Sequence, residues 1–176
     1  MPELLAARNP GFSANFLRTI SSLVTVVPIV NKIFDTQNDY ALAIARLVLG
    51  IVFFMHGAQL TLGWFGGQTF FHSMHGFAQG MHIPDFLAAL AILAQFLGGI
   101  GLIVGFLSRI AVFGIAVDML VAIFTVHIHV GFFMNWSGHQ KGEGYEYHLL
   151  VLALCLLFMV KGSGALSLDR LLTKKK

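Results

Sequence analysis

The sequence predicts an all-α membrane protein: a bundle of four transmembrane helices, with an interfacial helix on the outer side and an amphipathic arm at the N-terminus. Three observations carry that prediction. The 176 residues are 57% hydrophobic and only 11% charged, with a mean hydropathy of +0.80, more apolar than a domain of this size can cover with polar surface. Four apolar stretches, 41–62, 86–106, 109–130 and 145–160, approach the roughly 20 residues that a helix needs to cross a bilayer. The 11 Lys and Arg are distributed unequally about those stretches.

The elements follow in order. Residues 1–40 form a cytoplasmic or interfacial arm, whose apolar run is interrupted by Arg18, Pro28, Asn31 and Lys32 and is followed by no small-residue cleavage site. That pattern predicts a surface helix broken at Pro28, or a docking arm for a partner, in place of a cleaved signal peptide. Residues 41–161 form the four-helix transmembrane domain, and 162–176 a basic cytoplasmic tail in which Ser167 and Asp169 have the look of a helix N-cap region. Within the first span Arg46, Gly50, Phe53 and Gly57 share a face flanked by His56. In the second, Ala88, Ala91, Gln95, Gly98, Gly99 and Leu102 make a narrow stripe of the kind that lets helix backbones approach closely where lipid gives no hydrophobic drive. In the third, Ala111, Gly114, Asp118, Ala122, Thr125 and His129 align on a regular helix. Between the first two spans Phe70, Met74, Phe77 and Met81 recur at the spacing of an interfacial helix carrying His72 and His75.

Orientation follows from the flanking charges. Arg8, Arg18, Lys32, Arg46, Arg109, Lys161, Arg170, Lys174, Lys175 and Lys176 fall on one side of the bundle and only Lys141 on the other. Positive charge is retained on the cytoplasmic side, so both termini are expected there, in what for a bacterium is the inner membrane. Every one of the 8 His then falls on the outer side, together with segments 63–85 and 131–144. The net charge of +3 serves this orientation and does not indicate nucleic acid, because the basic residues flank the spans. Cys155, the one cysteine, excludes an intrachain disulfide and a thiolate metal cluster.

Two kinds of chemistry are open to these residues. Asp118 lies nine residues beyond Arg109, about 13 Å into the membrane, and Arg46 enters from the same side. An isolated charge there is costly, so both are expected to face the interior and meet each other or Gln95, either as an ion pair that fixes helix register or as a proton or ligand relay. At the outer side His56 ends the first span, His127 and His129 end the third, and His148 opens the fourth beside Glu146. These residues can converge, and imidazole there can hydrogen-bond a quinone carbonyl, pass protons, or ligate metal or haem; ordinary structural hydrogen bonding is the other reading. The pocket is expected from His56, His129, His148 and Glu146, above a polar stripe of Asp118 and Thr125. His72 and His75, three residues apart, are the best local metal pair.

Several fragments also occur together in a specific order. They are Arg46-Leu47-Val48-Leu49-Gly50, His56-Gly57 followed by Gly63-Trp64-Phe65-Gly66-Gly67, Gly98-Gly99 followed by Gly105-Phe106-Leu107-Ser108-Arg109, then Val126 to Phe133, Gly144 to Tyr147 and Gly162 to Asp169. In this order the chain, from about Ala45 to Leu171, resembles the DoxX family of small four-helix membrane proteins. Two positions depart from the pattern of that family: Gln95 stands where a carboxylate is common, and Leu60 where a basic residue is expected. The resemblance implies the four-helix fold and a place in quinone- or sulfur-linked redox systems; from their placement in the spans and at the outer side, Arg46, Gln95, Asp118 and Glu146 are the candidate reactive groups and His56, His127, His129 and His148 the candidate cofactor-binding ones. A quinone is the cofactor this favours. The alternative is a non-catalytic accessory subunit of a larger membrane complex, embedded in lipid beside other subunits or copies of itself.

The orientation is directly testable. With Cys155 replaced by serine, single cysteines at Gln68 and Gln140 should react with an impermeant thiol reagent added outside intact cells, and one at Thr173 should not. The reverse labelling pattern would invert the topology.

Overall fold

Asp39 starts the first helix of the core. Its Oδ1 accepts from the backbone N–H groups of Ala41 at 2.8 Å and Leu42 at 3.2 Å, satisfying two of the donors that every helix N-terminus leaves without partners. The computed structural model describes residues 32–173, and all but the last nine residues of the arm expected over 1–40 lie outside that range. Among the described residues six α-helices follow in order: α1 (Tyr40–Thr61), α2 (Phe70–Met81), α3 (Asp85–Val104), α4 (Ser108–Thr125), α5 (Glu146–Lys161) and α6 (Leu168–Thr173). Helices α1, α3 and α4, of 22, 20 and 18 residues, are long and apolar enough to cross a membrane. Helix α5, at 16 residues, spans about 24 Å and is shorter than they are.

The α1 and α3 backbones are in contact, and glycine is the reason. A Cβ at Gly57 would strike the backbone of Phe96, one at Gly99 the backbone of Phe54, and one at Gly50 the Ile103 nitrogen at 2.8 Å. The expected inward face of α1 is the buried one, since Arg46, Gly50, Phe53 and Gly57 are all buried. On α3 the buried stripe is Ala88, Ile92, Gln95, Gly98, Gly99 and Leu102, with Ile92 in place of the expected Ala91. On α4 the face is turned. Val112, Ile115 and Met119 pack into the core with Leu49, Phe53, Val151, Cys155 and Phe158, whereas Thr125 is exposed and bonds Val121 of its own helix at 2.7 Å. Bulky side chains on α4 thus fill the space against α5, and glycines on α1 and α3 close the other seam. The opposite faces present Ile44, Leu90, Phe113, Phe124 and Leu150 outward, the surface a bilayer covers.

One end of the helices is sealed by polar groups that arrive late in the chain. After α5, Gly162 and Gly164 take positive φ values of 80° and 77°, a left-handed backbone that glycine adopts at no steric cost. The chain then folds back: Ala165 N–H donates to Asp39 O at 2.9 Å and Asp169 N–H to Gly105 O at 2.9 Å. Leu107, before α4, has φ 51° and supplies no side-chain cap. Asp169 supplies one, accepting from Leu107 N–H at 2.8 Å and Ser108 N–H at 3.1 Å. Ser163 Oγ donates to the same carboxylate and accepts from Ser108 Oγ at 2.9 Å.

Two arginines complete this end. Arg46 is 3% exposed, and its guanidinium donates to the carbonyls of Leu102, Ile103 at 3.0 Å, Ser163 at 2.8 Å and Leu166 at 3.1 Å. Arg109 does the same for α5, bonding the carbonyls of Met159 at 2.9 Å and Val160 at 3.3 Å, with Asp35 O as a further acceptor. Both charges therefore sit at helix C-termini, where orphaned carbonyls and the helix dipole favour a cation.

These contacts rank the sensitivity of individual positions. Gly99→Val forces a branched side chain into the α1 backbone and should cost about 1–3 kcal/mol; Asp169→Ala strips the buried Ser108 N–H and the half-buried Leu107 N–H of their acceptor for a similar about 1–3 kcal/mol. Ile44→Ala on the outward face should stay within about 0.5 kcal/mol. Unfolding of the detergent-solubilised protein measures all three, and an intact Gly99→Val variant would refute the α1–α3 contact.

Candidate functional site

The other end of the bundle, the one that bears the histidines, is not sealed. A cavity of about 710 Å³ opens among α1, α2, α3, α4 and α5, lined by apolar side chains such as Phe53, Leu60, Phe77, Met119 and Met134 and by a small polar set. That set is Gln59, Gln95, Asp118, His56, His127, Glu143, Tyr147 and His148. Each is delivered by a different local cause.

Gln95 and Asp118 stand on the inward faces of α3 and α4, 8% exposed each, and Gln95 Nε2 donates to Asp118 Oδ2 at 2.8 Å. The expected partner of Asp118 among the alternatives is thus Gln95 alone. Arg46 is committed to carbonyls at the sealed end, so the expected pairing of Arg46 with Asp118 does not form. Carbonyls at the C-terminus of α3 outcompete a carboxylate that stands further along the bundle.

His127 and His148 meet over the cavity, their ring centroids 4.1 Å apart. Helix α4 stops at Thr125, Val126 leaves helical geometry at φ −121° and ψ −58°, and a 3-10 turn carries His127–His129. This break is why His127, and not His129, lines the cavity: the alignment of His129 with Asp118 assumed a helix that continues. His127 Nδ1 lies 2.7 Å from the carbonyl of Glu143; since a carbonyl can only accept, Nδ1 carries the proton and Nε2 is the basic nitrogen of the neutral ring. His148 opens α5 and is 6% exposed. Its Nδ1 and the Tyr147 hydroxyl are buried without a hydrogen-bond partner. Polar atoms buried in this way are rare and call for an explanation, a bound group among them.

Other expected members take different places. Glu146 points into the 131–145 loop, accepting from Met134 N–H at 3.1 Å and Trp136 Nε1 at 3.2 Å, and Glu143 lines the cavity where Glu146 was expected. His56 does line it, from an exposed position on α1. His75 pairs with Asp85 at 3.2 Å, tying α2 to the first turn of α3, and His72 borders an adjoining cleft of about 330 Å³ with Gln59, Gln68 and Ser73, which shares Gln59, Leu60, Gly76 and Phe77 with the cavity. Among the described residues no three His, Cys, Asp or Glu are grouped as metal ligands, so the donor set at His72 and His75 does not complete a metal site. A haem between His127 and His148 does not fit either, because rings 4.1 Å apart leave no width for a macrocycle. The walls of the cavity are mainly apolar, and Tyr147 and His148, whose hydroxyl and Nδ1 are buried without a partner, are among the residues that line it.

Sequence reasoning missed Glu143, Tyr147, Met134 and the cavity-facing side of α2. Tyr147 reads as an aromatic at the membrane interface, and only its adjacency to His148 marks it. Glu143 carries no periodic signal, since its loop position is set by hydrogen bonds to Asn135 and His127.

Comparison with known proteins bears on the same residues. The DoxX family model matches residues 41–128. Inner membrane protein YqjF of Escherichia coli is 31% identical over 138 residues, covering 78% of this chain and 96% of that protein. Putative oxidoreductase CatD of Bacillus subtilis is 28% identical over 147 residues, 84% of this chain and 95% of its own length. An uncharacterized protein of Haemophilus influenzae is 33% identical over 146 residues, 80% and 97% of the two chains. No solved structure matches the chain.

The geometry predicts which residues are energetically coupled. In a double-mutant cycle Gln95→Leu and Asp118→Leu should interact by at least about 0.5 kcal/mol, the double variant being less damaged than the sum, because Gln95→Leu alone leaves a buried carboxylate unpaired. Arg46→Met and Asp118→Leu share no partner and should add to within about 0.5 kcal/mol. Strong coupling between the latter two would contradict the hydrogen bonding described above.

Proposed function

This chain belongs to the DoxX family, and from that premise we propose that it is a multi-pass protein of the bacterial cytoplasmic membrane that binds a quinone-class ligand in the histidine-end cavity, as the membrane part of a quinone- or sulfur-linked redox system. In this reading α5 joins α1, α3 and α4 as a fourth span, the sealed end with Arg46 and Arg109 faces the cytoplasm, and the cavity faces outward. The observation that carries the reading is the cavity itself. It combines mainly apolar walls with Tyr147 and His148, which hold unsatisfied polar atoms, and with the Gln95–Asp118 pair. Two relatives lend support through their names, one an inner membrane protein and one a putative oxidoreductase.

A bound quinone would supply two-electron, two-proton chemistry. The residues of the chain do the rest. The Tyr147 hydroxyl can donate to a ligand oxygen, and His148 Nδ1 can donate or accept according to its tautomer. Asp118, held through Oδ2 by Gln95, keeps Oδ1 for a ligand hydroxyl. His127, fixed in one tautomer by the Glu143 carbonyl, offers Nε2 as a proton acceptor, and imidazole exchanges protons near neutral pH. The apolar walls exclude water from the ligand body.

The test is made on the full chain purified in lipid nanodiscs. Quinone should be extractable from it or bind on titration with decylubiquinone, and His148→Leu should weaken binding about tenfold, the loss of roughly one neutral hydrogen bond, with unchanged yield. If the wild-type protein neither retains nor binds quinone and shows no redox activity, the chain is an accessory subunit and the cavity serves another ligand.

A further inference from the structure

Glycine inside a helix needs a reason, because it forfeits helix stability relative to alanine. Most glycines here have one. Gly63, Gly66, Gly105, Gly131, Gly138, Gly162 and Gly164 have positive φ, and Gly50, Gly57, Gly67, Gly99 and Gly144 would drive a Cβ into a neighbouring backbone or side chain. Gly98, Gly101, Gly114 and Gly142 have neighbours between 3.0 and 3.4 Å of a Cβ. Among the described residues, two positions have neither cause. At Gly76 and Gly80 the backbone is not left-handed, and an added Cβ would meet nothing within 4 Å.

Both lie on α2 (Phe70–Met81), four residues apart and therefore one turn above each other on a single helix face. Both line the histidine-end cavity, with Phe77 and Met81 of the same helix. Both glycines are exposed, so a side chain added at either would enter open space along this wall of the cavity. The same cavity is bordered by His148, 6% exposed, whose Nδ1 has no partner, an independent sign that a ligand belongs there.

We propose that Gly76 and Gly80 are specificity-determining positions of this cavity, leaving bare helix backbone against which the flat ring of a lipid-soluble ligand lies. The inference rests on the ligand-binding reading of the cavity and deepens it. Phe77 and Met81 then bound the ring at its edges, and the absent side chains set the ring size admitted. A two-ring ligand needs more of the bared surface than a one-ring ligand, so the glycines matter most for the larger one.

The experiment uses the full chain in nanodiscs, with decylubiquinone as the one-ring probe and a dimethylated naphthoquinone as the two-ring probe. Gly76→Ala and Gly80→Ala should leave Tm unchanged or raise it while weakening naphthoquinone binding several-fold; Gly80→Leu should abolish that binding and weaken decylubiquinone binding less. A second readout does not depend on quinone. In a background with Cys155→Ser, a cysteine at the cavity position Ala122 should be alkylated by N-ethylmaleimide, and Gly76→Leu or Gly80→Leu should slow that reaction at least tenfold. Slowed alkylation in a protein that binds neither quinone would uphold the steric role of the glycines and overturn the quinone reading alone. Wild-type binding of both probes and wild-type alkylation in well-folded Leu variants would overturn the proposal and leave the quinone reading intact. Should the Leu variants not fold, the Ala pair decides: equal affinity for the two-ring probe in both overturns it.

Discussion

The architecture depends on how a helix end is finished inside hydrocarbon, where no water is available to take up the carbonyls that a helix leaves unpaired. Arg46 solves this for α3. One buried guanidinium joins the last turn of α3 to the 163–166 segment through four carbonyls, and in doing so fixes α1, α3 and the chain after α5 against one another. Arg109 finishes α5 in the same manner, and Asp169 finishes α4 from its opposite pole, offering acceptors to N–H groups. Each charge is placed where the local dipole favours it. Rigidity at this end leaves the far end free to keep an opening: the helices are clamped where the arginines are, and the space among Gln95, Asp118 and the histidines can remain unfilled without the bundle collapsing.

The fold was legible wherever side chains carry the information. The helices followed from apolar length, although α4 ends at Thr125, five residues short of the expected limit; the inward faces of α1 and α3 followed from small residues at helical spacing, and α2 from the Phe and Met recurrence. The turned face of α4 was not legible, because Ala111, Gly114 and Ala122 advertise close packing, whereas Val112, Ile115 and Met119 do the filling. The small residues mark the seam of α4 with α3, where Gly114 faces Ala94, and not the neighbouring stripe that fills the core.

The site was legible in part, and the misses share a physical origin. Gln95, Asp118, His56, His127 and His148 do border one cavity, as expected of polar groups on inward faces and helix ends. Arg46 was assigned the wrong partner because a backbone carbonyl leaves no trace in sequence, while Asp118 is a conspicuous letter. His129 and Glu146 were misplaced by one turn of geometry: the helix ends at Thr125, and the 131–145 loop engages Glu146 to order itself. Chain geometry at a helix terminus is decided by contacts distant in sequence, and periodicity cannot anticipate it.

The return of residues 163–169 to the start of the bundle also imposes an order on biogenesis. During synthesis α1, α3 and α4 leave the ribosome well before Ser163, Leu166 and Asp169 exist. Until those residues arrive, Arg46 has only the α3 carbonyls to bind, and the first N–H groups of α4 lack the carboxylate that later covers them. The contacts that close this end of the bundle are therefore complete only once the segment behind α5 has been made.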